Sequence, residues 1–150
     1  MNLKWEYVAF QFHKDIEVEN VMTHAFVPQH LQVFAKYLFR HDFSDGKYDL
    51  QCIYRTVVNR AYLSTYLHTH DWIVNNGPYM NIKEYGGGNI GYHAAILLGL
   101  KYLKKFDIYR KYSDFLDLRV SADYDIVGIV TPNDAKTAIE LAEEICNALK

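Results

Sequence analysis

Residues 48–78 read YDLQCIYRTVVNRAYLSTYLHTHDWIVNNGP. Apolar side chains recur there at three- and four-residue spacing, which lines them up on helix faces. Ile53, Val57, Ala61 and Ser64 form one stripe, and Tyr54, Val58, Tyr62 and Tyr66 form a second. A helix with two such stripes is contacted from both sides, so this one is expected at the centre of the fold. Asn75-Asn76-Gly77-Pro78 is a strong stop, because Gly and Asn take the conformations that end a helix and Pro cannot continue one. The spacing therefore predicts one long helix over 48–76.

Helical signals continue on both sides of this stretch. Upstream, Pro28 suits a first helical position, where its missing N–H would be unpaired anyway. Leu31, Phe34, Tyr37 and Leu38 follow at helical spacing, and Ser44-Asp45-Gly46 ends the segment. Downstream, Tyr92, Ala95, Ile96, Leu98, Leu100 and Leu103 mark one helix. Residues 106–118 mark another, with Ile108, Tyr112, Phe115 and Leu116 inward. Ile126-Val127-Gly128-Ile129-Val130 reads as an ordered connection, with a short strand as the alternative. Thr131-Pro132-Asn133-Asp134 opens a last helix, with Thr as cap, Pro first, and an acid at the positive end. Its buried face is Ala138, Leu141, Ala142, Ile145 and Leu149. Residues 3–22 alternate like a hairpin and also fit a helix face, so both stay open. The sum is an all-α antiparallel bundle of four to five helices, forming a single domain over 1–150.

The bulk numbers set bounds. The chain has 150 residues, half of them hydrophobic, with thirteen Tyr and eight Phe. Tyr joins a large apolar area to a hydroxyl that needs a partner, which suits interfaces and half-buried sites. The net charge of −2 excludes a uniformly basic nucleic-acid surface, so any RNA contact must use locally gathered cations. Cys52 and Cys146 lie far apart, with no CxxC to suggest zinc or redox chemistry. The first residues lack the apolar core of a signal peptide, and no run is long enough to span a membrane. A soluble cytoplasmic protein is the expectation.

Two polar groups interrupt the apolar pattern. On the central helix, Arg60, Ser64 and His68 stack at four-residue spacing, and Arg55 neighbours Asn59. A cation in a packing helix needs a carboxylate or a water-filled cleft. Arg119-Val120-Ser121-Ala122-Asp123-Tyr124-Asp125 follows the helix of 106–118 and gathers a guanidinium, two carboxylates and a phenol. Arg grips phosphate with two parallel hydrogen bonds, and Tyr stacks on a base; the plain structural alternative is an Arg119–Asp123 ion pair at a helix end. Gly86, Gly88 and Gly91 spell GxGxxG, but no apolar strand precedes them, which argues against a dinucleotide fold. His68 and His70 diverge on a helix, and no HExxH occurs, so no metal is expected. His93, just inside a helix after the glycines, is the better-placed histidine.

The segment from Val58 to His68, with Asn59-Arg60-Ala61-Tyr62 inside it, resembles the central helix of HEPN domains (higher eukaryotes and prokaryotes nucleotide-binding), where an Arg-Ala-Tyr-Tyr-type run recurs. Arg119-Val120-Ser121-Ala122-Asp123-Tyr124 is similar to their later Arg-x-x-Ala-Asp-Tyr run. Helix order and the spacing between the two runs also agree, over residues 48–150. The resemblance implies a dimerising helical bundle that handles RNA or nucleotides, often a metal-independent ribonuclease of a toxin–antitoxin or antiviral defence system. It implies no cofactor, and an antitoxin or a nucleotidyltransferase as partner. Under it, Arg119 is the electrostatic clamp and Tyr124 or His93 handles protons. Arg60, His68 and Asp123 hold RNA or nucleotide in the same cleft. Catalytic members carry Arg, four to six residues, then His; after a four-residue gap this chain has Tyr124. That departure keeps a non-catalytic binding or dimerisation module as the alternative expectation.

Overall fold

The computed structural model describes residues 26–43 and 46–150. Among the described residues five α-helices make up a bundle: α1 (Gln29–Arg40), α2 (Leu50–Asn76), α3 (Tyr92–Tyr102), α4 (Phe106–Tyr124) and α5 (Pro132–Ala148). No strand occurs among the described residues, and 74% of them are helical. The expected all-α bundle is thus the fold observed. The open reading of residues 3–22 lies outside the described residues.

Helix α2 is the axis, as its two stripes require. Val57, Ala61 and Ser64 are buried on one side, Val58 and Tyr62 on the other. Its first turn is capped by the Asp49 carboxylate, which accepts from the Gln51 N–H at 2.9 Å. Its last turn closes where Gly77 N–H donates to the Ile73 carbonyl. All the other helices pack on it.

Specific contacts give the directions. Gln51 exchanges two hydrogen bonds with the Val130 backbone at 2.8 and 2.9 Å, and His68 meets the Leu149 carbonyl at 3.1 Å. Start therefore meets start and end meets end, so α2 and α5 run the same way. Arg55 and Asn59 meet the end of α4 while Tyr62 meets Tyr112 nearer its start, so α4 runs opposite to both. The antiparallel neighbours α3–α4 and α4–α5 are joined by short turns. The 77–91 connection returns the chain, so that α3 runs along α2. There Gly99 allows close approach: a Cβ at that position would lie 2.8 Å from the Ile73 side chain.

Several boundaries differ from the sequence expectation. Helix α4 does not end near Leu118 but runs to Tyr124. Nothing in residues 119–124 breaks a helix, and buried Ala122 keeps the last turn in the core. Arg55 then takes carbonyls at its end and in the connection beyond, donating to Ala122 at 2.5 Å, Asp125 at 2.8 Å and Gly128 at 2.6 Å. The 79–91 loop contains a 3₁₀ turn over Ile82–Gly86, closed by Gly87 in the left-handed conformation. The 126–130 segment is a connection and not a strand. Only Val130 packs inward, while Ile126, Val127 and Ile129 face solvent. The start of α5 is as expected, with a reciprocal capping box between Thr131 and Asp134. No described helix is long and apolar enough to cross a membrane.

Candidate functional site

The α2–α4 face carries most of the polar chemistry. Because α4 stays helical through Tyr124, Arg119 and Asp123 stand one turn apart on one face. Arg119 Nε donates to Asp123 Oδ2 at 2.7 Å, with each side chain only about one-fifth exposed. Asn59 from α2 donates its amide to the same carboxylate at 3.0 Å. Asp123 is therefore held from two helices. The Arg119 guanidinium lies 5.2 Å from the centre of the exposed Tyr124 ring and 6.0 Å from that of Tyr62.

Behind Arg119 lies a buried hydroxyl relay. The Tyr62 hydroxyl is 2.8 Å from His93 Nδ1 and 2.9 Å from the Tyr112 hydroxyl. Three helices supply the three residues. Phe115 closes the relay from below, edge-on to the Tyr62 ring, and the Tyr66 ring meets His93. Burial pushes the Tyr62 phenol up to about 12, partly opposed by the Tyr112 hydrogen bond and the Arg119 charge. Complete burial raises the Tyr112 phenol well above its ordinary range. His93 moves the other way: burial first, then the nearby Arg119 cation, lowers it from its ordinary value. At neutral pH the relay is thus uncharged, next to a guanidinium.

These residues open on a cavity of about 340 Å³ lined by Asn59, Tyr62, Leu63, Tyr66, His93 and Arg119, with half-exposed Tyr92 at its rim. Three tyrosine rings, one neutral imidazole and one guanidinium suit a planar aromatic group carrying an anion.

Of the six residues singled out in sequence, four gather here: His93, Arg119, Asp123 and Tyr124. Arg60 lines the adjoining groove with Asp123. His68 belongs elsewhere, since its Nε2 meets the Leu149 carbonyl and ties α2 to the end of α5. Its separation from the cleft follows from helix geometry: Thr65, on the same side, meets the Cys146 thiol of α5. The expected single cleft holding all six residues is therefore two adjoining grooves without His68. Sequence reading missed Tyr62 and Tyr112 as polar residues because both sit on apolar stripes and read as core. It also missed the Arg55 cap, whose carbonyl partners lie about seventy residues away.

Comparison with protein-family models, curated proteins and solved structures gives no match to this chain. No three of the described His, Cys, Asp and Glu side chains gather in a way that would hold a metal ion. In the glycine loop the Gly87 and Gly88 N–H groups are taken by the 3₁₀ turn, donating to the Glu84 and Lys83 carbonyls.

Proposed function

We propose that this chain acts on RNA in the manner of HEPN-like domains, with the Tyr62–His93–Arg119 cavity as the place where a phosphodiester is bound and cut without metal. The observation that carries the reading is the neutral imidazole of His93 sharing one cavity with the Arg119 guanidinium. Transesterification needs a base for the 2′-hydroxyl proton and a cation for the charge that builds on phosphorus. When Nδ1 donates to the Tyr62 oxygen, His93 Nε2 holds a free lone pair and takes that proton. The 2′-oxygen then bonds to phosphorus and the 5′-oxygen leaves, taking a proton from solvent or from the Tyr124 phenol. The products are a 2′,3′-cyclic phosphate and a 5′-hydroxyl end. Tyr62, Tyr66 and Tyr92 offer ring faces for the flanking base.

One observation favours a second reading, nucleotide or RNA binding without cutting. Arg119 already holds Asp123 at 2.7 Å, which offsets its charge where a phosphate would lie. Incubation of the protein with RNA in EDTA separates the two. Cleavage that His93→Gln and Arg119→Ala each abolish supports the enzyme; RNA binding lost in Arg119→Ala without any cleavage supports the binder. Unchanged RNA affinity in Arg119→Ala, with no cleavage by the wild type, sinks both. Within the same proposal, the protein is a cytoplasmic homodimer working in a toxin–antitoxin or defence system. Exposed Tyr124, Ile126, Val127 and Ile129 supply an apolar surface beside the cavity for the second copy, and a monomer mass in light scattering would oppose that.

A further inference from the structure

Beside the cavity, on the same side of α2, runs a second groove of about 340 Å³ lined by Cys52, Arg55, Thr56, Asn59, Arg60 and Asp123. Its electrostatics differ from the rest of the chain. Arg55 spends its N–H groups on three carbonyls, so its charge meets no described carboxylate. Arg60 makes no hydrogen bond or ion pair with a described residue. Asp123 is the one acidic side chain in the lining, and it is already met by Arg119 and Asn59. Two guanidinium groups therefore line the groove with one carboxylate, which Arg119 already pairs; the Asp125 carboxylate near Arg55 lies outside the lining and is taken up by the Val127 and Gly128 N–H groups. Such a cluster attracts anions and is screened by salt.

The two grooves are continuous. Asn59 lines both, and their α2 residues are centred about six positions apart, or about 9 Å along the helix at its usual rise. We infer that the Arg55–Arg60 groove is a second anion site, which takes a phosphate adjacent to the one at Arg119. The ligand is then a nucleic-acid strand with at least two phosphodiesters, and a mononucleotide fills only half the site. This rests on the cavity reading above, and it adds what that reading leaves open: strand length and direction of run, from the His93 cavity toward the N-terminal end of α2. Thr56 contributes hydroxyl lone pairs rather than a donor, because its proton goes to the Cys52 carbonyl at 2.7 Å. Arg60 supplies the donors, while Arg55, whose N–H groups are held by the three carbonyls, contributes its charge.

The test compares a ten-nucleotide oligouridylate with UMP. Arg60→Ala and Arg60→Gln are both expected to weaken the oligonucleotide several-fold at low salt, to lower its salt slope by about 0.7, and to leave UMP binding unchanged. Arg119→Ala is expected to weaken both ligands. Cys52 supplies an independent readout, because its thiol is exposed in the groove, whereas that of Cys146 is half-buried and raised by burial. The oligonucleotide should slow iodoacetamide alkylation of Cys52, and UMP should not. Wild-type affinity and slope in both Arg60 variants, with Cys52 equally reactive, overturns the second site while an effect of Arg119→Ala leaves the cavity reading standing. An oligonucleotide that does not bind the wild-type protein overturns both.

Discussion

The two sides of α2 solve the same problem in opposite ways. Toward α5 two polar side chains of α2, His68 and Thr65, are answered within the protein, while the buried Thr69 hydroxyl is not. His68 meets Leu149, Thr65 donates to the Ala61 carbonyl and meets Cys146, and α5 offers Ala135, Ala138 and Ala142 so that the backbones close up. Toward α4 the side chains are larger and the packing is incomplete. Tyr62 is met by His93 and Tyr112, and Asn59 and Arg119 share Asp123, yet two grooves remain. A seam of small residues leaves no room for a ligand, whereas a seam of Tyr, His and Arg builds walls that do not meet. The difference places the chemistry on one side of the central helix and the mechanical strength on the other.

The sharpest way to break this division is on the strong side. Ile145→Ala opens a cavity in a fully buried position and should cost about 2–5 kcal/mol, read by urea unfolding, while ligand affinity of the folded protein stays unchanged. An equal loss of affinity would mean that the two sides are not separable. Next in size is Arg55→Met, which strips the end of α4 of its donor and should cost about 2–3 kcal/mol. Hydrogen exchange should show the last turn of α4 fraying first, with the N-terminal half of α2 unaffected.

Smaller effects test the relay. Tyr62→Phe leaves His93 Nδ1 and the buried Tyr112 hydroxyl short of a partner and should cost about 1–2 kcal/mol. It also frees the His93 tautomer, so imidazole NMR shifts should change more than the unfolding midpoint does. The pH dependence follows from the sign of the His93 shift. Its folded value lies below the ordinary 6.5, so the unfolded chain binds the proton more readily. Stability from this group is complete above about 6.5 and is lost as pH falls through the lowered folded value. Unfolding at stepped pH should show that slope in the wild type and not in His93→Gln. The smallest expected change in stability is that of Asp123→Asn, under about 1 kcal/mol, because the pair is partly solvated. It removes the one acid lining the second groove, which also pairs with Arg119 of the first, and should tighten anion binding; weaker binding would show that Asp123 orients Arg119 more than it neutralises it.

Much of this architecture was readable in the chain itself. The Asn-Asn-Gly-Pro stop, the Thr131-Pro132-Asn133-Asp134 start and the double stripe of α2 are local signals, each acting within a few residues, and the helices begin and end close to where they predict. The Arg119–Asp123 ion pair was legible only as the plain alternative at a helix end; the continuation of α4 makes it an i,i+4 pair. Where local signals were silent, the boundary slipped. Nothing within 119–124 says that α4 continues, because what holds its last turn is Arg55 on another helix.

The sequence by itself determined that the described residues are helical and which helix is central. These follow from periodicity and capping, which depend on near neighbours. The tertiary structure decided that His68 braces α5 while His93 joins the cavity, that two core-patterned tyrosines form a relay, and that Arg55 and Arg60 share a groove. Those outcomes depend on how helices far apart in sequence cross. A residue's periodicity says that it points inward, but only the neighbour supplied by another helix decides whether it meets a carbonyl, a carboxylate or an open cavity.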